Sequence, residues 1–497
     1  MNLKKQIFSF FLVTLTLFLP FRAVHAHTLK PCAKESKFLI NVPVLNLHEE
    51  CNENSPFVSQ GIYGHTVQII KHLDNGWALI ETEDAYQGLG QTKYLIADDP
   101  VWKTSTHQVR VNSVAALLYP CPDTAGPALM SLPFGARCVL YEDLDSNSER
   151  WQKVSLLDGT RVWVQRGDVE TPKTRTLEEM FNLSYRFLER PYIWGGTSSK
   201  GFDCSGYVQT LAKSMGIILP RDSRPQAGSN QLAEVTGPAQ IGDITFWANL
   251  GKTRITHVGI YCEEGNSIHS SVKNPRPGVA INTLPHHSLV KAKRFKEISY
   301  SSTISPITPE VSEKMTHSWQ NNNPIPLQDL CYIQLNHWGF DGCVHEGEII
   351  VHKSVAGEVT EIFEELFANQ YPIEKMLLVD AYSADDALSC EDNNSSCFCS
   401  RPAVGKNSWS FHSFGLAIDI NPLLNPYQRK GKVIPSNAKP FLDRSLPCKG
   451  IITTDDLCYQ AFINRGWRWG GHWEIERDEI GCNDYQHFYK EIEGTTP

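Results

Sequence analysis

The chain has 497 residues, of which 41% are hydrophobic and 20% charged, and its formal net charge is −9. This length exceeds what one hydrophobic core normally organises, so we expect several domains. The hydrophobic content excludes a disordered or fibrous chain. The negative charge and the lack of a long basic run argue against a nucleic-acid partner.

The first 26 residues have the pattern of a secretory signal peptide. Lys4 and Lys5 precede an apolar stretch at 7–20, and Val-His-Ala at 24–26 fits a cleavage site. We therefore expect a signal peptide at 1–26 and a periplasmic or secreted mature protein. No later segment reaches the roughly 20 apolar residues of a membrane helix, so no membrane span is expected after signal removal.

The chain contains 14 cysteines, eight of them after residue 330. In an oxidising compartment this density favours disulfide bonds. Two local pairs are candidates in the first half, Cys32 with Cys51 and Cys121 with Cys138, which leaves Cys204 and Cys262 as free thiols. A cysteine-rich zinc site is the weaker alternative, because no paired Cys-x-x-Cys motif occurs. Eight cysteines allow about 105 pairings, so none is assigned in the last third.

The N-terminal third shows short apolar strands, such as 67–70 and 161–164, separated by turn sequences. Two stretches, around Trp77 and Trp151, repeat the order of an apolar strand, a turn and a strand that contains tryptophan. We therefore predict two small all-β, SH3-like barrels. Their predicted bounds are 27–105 and 106–172.

Helical spacing of apolar residues follows at 177–187 and 204–215, and strand patterns return at 256–261. This order predicts an α+β domain. A stretch rich in Ser, Thr, Pro and Asn then indicates a linker before a second α+β domain. The predicted bounds are 173–299, 300–326 for the linker, and 327–494.

Cys204 combines the features of a nucleophilic thiol. It follows a glycine-rich turn and begins a predicted helix, where free N–H groups and the helix dipole favour the thiolate. A thiol nucleophile needs an imidazole to hold its proton, and His257, in an apolar strand, is the natural partner. His269 follows across a tight turn, so it is expected on the neighbouring strand, where it can orient the His257 ring. The polar neighbours Asp203 and Ser205 disfavour a buried structural cysteine.

Four short motifs surround these residues: Tyr-Ile-Trp-Gly-Gly at 192–196, Phe-Asp-Cys-Ser-Gly at 202–206, Gly-Asp at 242–243 and His-Val-Gly-Ile at 257–260. On these motifs the segment resembles the NlpC-type family of papain-like cell-wall endopeptidases. With two SH3-type modules in front, it is similar to the subgroup that cleaves the γ-D-glutamyl–diamino acid bond of peptides with a free N-terminal L-alanine. The resemblance implies a papain-like fold, no cofactor at the thiol site, and peptidoglycan stem peptides or muropeptides as substrates.

The same resemblance implies a subsite for the terminal alanine. Its lining residues carry over to Tyr192, Trp194, Asp203, Ser205, Asp222 and Ser223. A carboxylate and hydroxyl groups suit an ammonium group. The first SH3-type module normally adds a tyrosine and an acidic residue. Tyr86 is the candidate tyrosine, but His65 stands where the glutamate is expected, which weakens the expectation of a strict free-amine requirement. A spacer or wall-binding role is the alternative for these modules.

Near the end of the chain, His412, Asp419 and His487 have the chemistry of a metal site. His412 and Asp419 are seven positions apart and would face opposite sides of a straight strand, so a turn at Gly415 is needed to bring them together. Two nitrogens and one oxygen, with an open position, match catalytic Zn²⁺. Asp484, shortly before His487, is the candidate general base. The alternative is a pair of core histidines and a capping aspartate.

Three further motifs accompany these residues: Ser-x-His-x-x-Gly-x-Ala-x-Asp-Ile-Asn-Pro at 410–422, Gly-Trp-Arg-Trp-Gly-Gly at 466–471 and Asp-Tyr-Gln-His at 484–487. On them the segment resembles the VanY-like zinc peptidases, the D-Ala-D-Ala carboxypeptidases and L-alanyl-D-glutamate endopeptidases. The resemblance implies zinc binding by His412, Asp419 and His487. It also implies Asp484 as the base, and Arg401 as the group that steadies the carbonyl oxygen. The L-Ala–D-Glu bond and a terminal D-Ala both stay open as targets.

The favoured hypothesis is an exported, monomeric enzyme that cuts stem peptides at two bonds, one by thiol chemistry and one by zinc chemistry. A wall-binding protein with only one active peptidase domain is the first alternative. A secreted effector protease or amidase is the second.

Overall fold

The computed structural model describes residues 37–141, 149–403 and 407–493. The predicted signal peptide and Cys32 lie outside these residues. Everything described belongs to one compact unit, so the successive sheets pack on one another. Among the described residues, no helix combines the length and apolar character needed to cross a bilayer.

The first sheet is antiparallel and has seven strands in the order β3-β2-β6-β5-β4-β1-β7. Alternating apolar residues put one face of each strand into a core around Leu45, Val67 and Ile80. Asn75, in the tight turn before β5, has a φ of 57°, a value that asparagine tolerates better than most residues. The strands are β1 (Lys37–Ile40), β2 (Val44–His48), β3 (Phe57–Ile62), β4 (Thr66–His72), β5 (Trp77–Thr82), β6 (Gln87–Gln91) and β7 (Leu95–Ala97).

A second antiparallel sheet follows helix α1 (Pro100–Thr104) and repeats the first, with the order β10-β9-β13-β12-β11-β8-β14. In both sheets a short 3-10 helix precedes the last strand, at Thr92–Tyr94 and Arg166–Asp168. The predicted all-β character of this third is confirmed, whereas closure into SH3-like barrels stays a prediction. The strands are β8 (Gln108–Val111), β9 (Ala115–Tyr119), β10 (Met130–Pro133), β11 (Arg137–Leu140), β12 (Trp151–Ser155), β13 (Arg161–Gln165) and β14 (Val169–Glu170).

The middle of the chain is α+β. A six-stranded antiparallel sheet, ordered β17-β22-β18-β19-β20-β21, carries helix α3 against β19 and β20. Helices α2 and α3 begin at the side-chain caps Thr176 and Asp203, and the predicted helices and strands are found within two residues of their predicted bounds. The elements are α2 (Leu177–Arg186), β15 (Thr197–Ser198), β16 (Gly201–Phe202), α3 (Cys204–Ser214), α4 (Ser223–Ala227), β17 (Leu232–Glu234), β18 (Ile244–Asn249), β19 (Ile255–Tyr261), β20 (Ser267–Ser271), β21 (Gly278–Asn282) and β22 (His287–Phe295).

Three small antiparallel sheets and two core-facing helices build the C-terminal part. Helices α6 and α8 bury Phe363, Leu366 and Phe462 in a core shared with β24 and β25. The elements are β23 (Ser302–Pro306), α5 (Pro309–Lys314), β24 (Leu330–Trp338), β25 (Val344–His352), α6 (Ala356–Ala368), α7 (Asp386–Glu391), β26 (Ala417–Asp419), β27 (Tyr427–Arg429), β28 (Lys432–Ile434), α8 (Leu457–Ile463), β29 (Arg468–Trp469), α9 (Trp473–Glu476), β30 (Asn483–Asp484) and β31 (His487–Tyr489).

Part of the segment predicted as a linker is regular structure. Strand β23 pairs along its whole length with β24, and Thr308 caps α5 by accepting a hydrogen bond from the Val311 amide. Polar composition does not exclude an edge strand, because one of its faces meets water. The segment is therefore anchored to the C-terminal sheet.

The described cysteines form no disulfide bonds, which corrects the expectation of bridges. Cys121 is exposed in the loop after β9, whereas Cys138 lies in β11 with its side chain in the core of the second sheet. In the last third, all eight cysteines are free, and seven of them are buried: Cys343, Cys390, Cys397, Cys399, Cys448, Cys458 and Cys482. These thiols act as small apolar side chains in the cores.

His65 lies at the junction of the first sheet with α3. Its Nδ1 accepts a hydrogen bond from the Lys213 ammonium (3.3 Å), and its Nε2 donates to the carbonyl of Gly135 (3.2 Å). Lys213 also pairs with Glu83. Burial, followed by the charge of Lys213, lowers the pKa of His65 to about 3. The position where the resemblance predicts a substrate-binding glutamate is thus occupied by a neutral histidine in a structural contact.

Replacing His65 by Gln should flatten the pH dependence of stability. Unfolded histidine takes up a proton near pH 6.5, but folded His65 does so only near pH 3. Stability therefore falls as the pH is lowered through this window. Between pH 7 and pH 5, urea unfolding should show a loss about 2 kcal/mol larger for the wild type than for His65→Gln. The exposed-site control His72→Gln should behave as the wild type. Equal losses in all three proteins would contradict the prediction.

Candidate active sites

Cys204 is the first residue of α3, as predicted. Asp203 caps this helix by accepting a hydrogen bond from the Gly206 amide (2.7 Å), and its other carboxylate oxygen accepts from the amide of Gly195 in the preceding turn (3.0 Å). The glycine-rich turn and the helix lie so close that a Cβ on Gly206 would sit 2.1 Å from the Gly196 carbonyl oxygen. Close backbone packing therefore explains the glycines beside the thiol.

The thiol lies against the backbone of Val258 in β19, next to His257 in sequence. Burial raises the pKa of Cys204 to about 12, and the charge of Asp203 acts in the same direction. Burial, then His269 and His287, lower the pKa of His257. The sequence predicts a thiolate stabilised by the helix N-terminus, but burial outweighs that effect.

His257 and His269 lie on the paired strands β19 and β20, as predicted. Their rings meet through His257 Nε2 and His269 Nδ1 at 2.9 Å, and His269 Nε2 lies 2.9 Å from Asn282 Oδ1. The ring of His287 stacks on His257 at a centroid distance of 5.2 Å. The sequence analysis missed Asn282 and His287, because only the fold brings β21 and the start of β22 beside the catalytic imidazole.

Asp203 also pairs with a buried arginine. Arg221 contacts its two carboxylate oxygens through Nη1 (3.1 Å) and Nη2 (2.5 Å), and the Ser205 hydroxyl donates to the same carboxylate (3.2 Å). Arg221 Nε donates to Ser59 Oγ of the first sheet (3.2 Å). Asp203 is therefore fully engaged within the protein. Two other carboxylates lie near it.

Those carboxylates are Asp222 and Asp84, and Asp84 accepts hydrogen bonds from Thr82 Oγ1 (2.5 Å) and Gln209 Nε2 (2.7 Å). Burial, and then the charge of Asp222, raise the pKa of Tyr86, on which Asp203 and Asp84 also act. Burial raises the pKa of Asp222 too, with Asp203 and Asp84 adding to the effect. Asp222 precedes α4 without capping it. Tyr86 thus lies near Asp203 and Asp222. Asp84, two residues earlier in the same turn, was not predicted from the sequence.

The other predicted lining residues surround this acidic group. Tyr192 is half-buried near Cys204 and Asp203, and burial raises the pKa of its hydroxyl. Trp194 is 66% exposed, and Ser223 begins α4. Asp203 and Asp222 thus lie near the buried Arg221, Asp84 lies near Tyr86 and Asp222, and Arg224 is exposed. This excess of negative charge suits a cation, and an ammonium group in particular.

The predicted metal ligands converge at the other site. His412 Nε2 lies 3.2 Å from Asp419 Oδ2 and 3.2 Å from His487 Nδ1, which is 3.0 Å from Asp419 Oδ1. All three side chains are buried, and the strand pairing sets Asp419 directly opposite His487. Gly415, with a φ of 65°, forms the predicted turn between His412 and β26.

The donor set fits a zinc ion. The His412 Nδ1–H donates to the Cys397 carbonyl (2.6 Å), so the Nε2 lone pair faces Asp419 and His487. Against the effect of burial, His412 and His487 lower the pKa of Asp419, which keeps it a carboxylate. Two ring nitrogens and one carboxylate oxygen within 4.8 Å of one another are the ligand set of a catalytic zinc site.

Asp484 and Arg401 line the same cavity of about 380 Å³. Asp484 is buried, its Oδ1 has no hydrogen-bond partner, and burial raises its pKa to about 7. A Cβ on Gly470 would lie 2.7 Å from the Asp484 carbonyl oxygen, which explains a glycine in the Trp-Gly-Gly motif. Arg401 donates to Asp386 (2.9 Å). The sequence analysis missed Asp386, and also Trp473, whose ring lies 5.4 Å from that of His487.

Both segments that carry these sites match known protein families. The NlpC/P60 family model matches residues 189–294, and the D-alanyl-D-alanine carboxypeptidase model matches 404–490. A gamma-D-glutamyl-L-lysine dipeptidyl-peptidase of Bacillus cereus is 32% identical over 245 residues, which are 46% of this chain and 70% of the relative. Dipeptidyl-peptidase 6 of Lysinibacillus sphaericus is 29% identical over 241 residues, 46% of this chain and 84% of the relative. A solved NlpC/P60 family structure from Bacillus cereus is 24% identical and covers 52% of this chain and 99% of its own, with a TM-score of 0.45.

Replacing Arg221 by Gln should destabilise the protein, because the change leaves the buried Asp203 carboxylate without its counter-charge. We expect a loss of about 3 kcal/mol in the free energy of unfolding, measured by urea denaturation at pH 7. Arg224→Gln, an equal change at the exposed rim, should cost less than about 0.5 kcal/mol. Similar losses for the two variants would show that the ion pair does not hold the start of α3.

Proposed function

The chain belongs to the NlpC/P60 family and carries a C-terminal domain of the D-alanyl-D-alanine carboxypeptidase family, and from this premise we propose that it hydrolyses peptidoglycan stem peptides at two bonds. The thiol site cleaves the γ-D-glutamyl–diamino acid bond and releases the N-terminal L-Ala–D-Glu dipeptide. The metal site cleaves the L-Ala–D-Glu bond or removes a C-terminal D-Ala. Substrates are muropeptides or stem peptides.

The acidic group beside Cys204 is the observation that carries the first part. Asp222 and Asp84 add negative charge around Tyr86 that the single buried Arg221 does not balance. A free N-terminal ammonium supplies the missing positive charge. Because the first sheet contributes Asp84 and Tyr86 and is joined to Arg221 through Ser59, it limits the length of peptide on this side of the thiol. These features favour a dipeptidyl-peptidase over a general endopeptidase.

In the proposed reaction the Cys204 sulfur attacks the γ-carbonyl carbon of D-Glu while its proton passes to His257. The imidazolium returns that proton to the nitrogen of the departing diamino acid, and the C–N bond breaks to leave a thioester. Water then attacks the thioester, His257 takes a proton from it, and the thiol is regenerated.

At the second site, His412, Asp419 and His487 would hold Zn²⁺. When bound, the ion polarises the scissile carbonyl and lowers the pKa of water. Asp484 has a free, buried carboxylate oxygen and a raised pKa, which suits a group that accepts and then returns a proton. Arg401 brings positive charge to the cavity and can steady a carbonyl oxygen as negative charge develops on it.

The proposal also includes two SH3-type modules and export from the cytoplasm. The repeated strand order of the two N-terminal sheets supports two SH3-type modules, of which the first completes the amine-binding subsite. The N-terminal sequence pattern supports export by a cleaved signal peptide to the periplasm or the medium. Peptidoglycan lies there, so both activities would meet their substrate.

Separate variants should remove separate products. With a tetrapeptide stem bearing free L-Ala, Cys204→Ala should abolish release of the L-Ala–D-Glu dipeptide by at least about a thousandfold, while metal-site products persist. His412→Ala should do the reverse. Cys262→Ala, the loss of another buried thiol, should keep both activities. Mass spectrometry of the products distinguishes these outcomes. Unchanged products in Cys204→Ala would reject the thiol mechanism and favour a protein with one active domain.

Removing the metal should silence only one activity. Treatment with 1,10-phenanthroline should stop release of L-Ala or D-Ala, and added Zn²⁺ should restore it, because His412, Asp419 and His487 alone cannot activate water. Dipeptide release should continue. The melting temperature should fall on chelation, since the ion binds the folded state. Elemental analysis that finds no metal, together with unchanged products after chelation, would contradict the zinc assignment.

A further inference from the structure

Behind the catalytic histidine runs a chain of hydrogen bonds that ends at a backbone carbonyl. The side-chain amide of Asn274 donates through Nδ2 to the carbonyl oxygen of Gly278 at 2.7 Å, and a second carbonyl, that of His269, lies 3.5 Å from the same nitrogen. A carbonyl can only accept, so the orientation of Asn274 is fixed. Its Oδ1 then faces Asn282, which must donate through Nδ2 at 3.1 Å.

The orientation of Asn282 fixes both imidazoles in turn. With Nδ2 used toward Asn274, its Oδ1 faces His269 Nε2 at 2.9 Å, and this ring nitrogen must carry the proton. Neutral His269 then has its lone pair on Nδ1, which accepts from His257 Nε2 at 2.9 Å. His257 is thereby left with a lone pair on Nδ1, the nitrogen that remains free to take the proton of the thiol.

We propose that Asn282, supported by Asn274, is a positioning residue that holds His257 in the tautomer able to accept the Cys204 proton. The inference rests on the proposed function of the thiol site and extends it by two residues. His257 and His269 have two tautomers each, and nothing in His269 alone selects between them. Asn282 makes the choice, because its oxygen and nitrogen are not interchangeable once Asn274 is anchored.

The charged and titratable groups around the pair do not supply this selection. His287 stacks on the face of His257, Lys273 acts on it only through its charge, and Cys204, at the start of α3, lies against the backbone of the adjacent Val258. The charge of Lys273 and the neighbouring rings disfavour the imidazolium without distinguishing one ring nitrogen from the other. Asn282 is the described side chain that contacts the far nitrogen of His269.

The test uses the full-length protein and two readouts. The first is the rate at which iodoacetamide alkylates Cys204 between pH 5 and 9, followed by mass spectrometry of the peptide that contains it. The second is the pH profile of dipeptide release. In Asn282→Leu we expect both rates at neutral pH to fall on the order of tenfold or more, with little change in KM, because the thiol has lost a correctly poised base.

A rescue variant separates positioning from packing. Asn282→Asp keeps an acceptor oxygen next to His269, so it should recover most of the lost rate. Its negative charge favours the imidazolium, so the acidic limb of the pH profile should move to higher pH. Asn182→Leu, the same substitution on the exposed face of α2, should match the wild type in both readouts.

Wild-type alkylation and hydrolysis profiles in Asn282→Leu would overturn the proposal. A loss that Asn282→Asp does not reverse would also overturn it, since a packing role would then suffice. If Asn282→Leu does not fold, the pH profile of Asn282→Asp is the test: an acidic limb that stays at the wild-type pH would overturn the proposal. Alkylation needs no substrate, so a wild type that hydrolyses no stem peptide would reject the proposed function while this inference was still tested.

Discussion

The buried ion pair between Asp203 and Arg221 determines where thiol chemistry can take place. Asp203 ends the glycine-rich turn, caps α3 and so sets the position of Cys204, while Arg221 reaches across to Ser59 of the first sheet. Both partners are buried, so neither could be lost without leaving an unpaired charge in the interior. One contact therefore fixes the start of the helix that carries Cys204 and joins the first sheet to the loop that carries Arg221.

The two sites solve the same problem of histidine orientation in related ways. At the metal site, the Cys397 carbonyl accepts directly from His412 Nδ1 and turns the other ring nitrogen toward Asp419. At the thiol site, the anchoring carbonyl is that of Gly278. It fixes the orientation of Asn274, which through Asn282 and His269 fixes the donor and acceptor nitrogens of His257. A backbone carbonyl cannot change from acceptor to donor, so each arrangement defines a unique tautomer. The longer chain leaves His257 neutral and free to exchange a proton.

Local sequence signals predicted the catalytic segments well because their chemistry is local. The capping Asp203, the glycines before Cys204 and the turn at Gly415 each have a stereochemical cause within a few residues. Asp84 and Asn282 could not be found this way, since each meets its site only through sheet packing. The prediction of disulfide bonds failed for a related reason: cysteines buried in a core and cysteines paired in a bridge have similar patterns along a chain. His65 is the opposite case. The resemblance predicts a substrate-binding glutamate at this position, but the histidine that is present binds Lys213 and the Gly135 carbonyl within the protein.

The N-terminal sheets contact both halves of the enzyme, which argues that they are more than spacers. Lys37 in β1 and Lys103 in α1 pair with Glu374 at 3.2 and 3.1 Å. The amide of Glu374 in turn donates to the side chain of Asn421, two residues after the metal ligand Asp419. Lys213, at the end of the helix that carries Cys204, pairs with Glu83 of the same sheet. Buried charges tolerate little displacement of their partners, so a shift of the first sheet would strain the supports of both sites together.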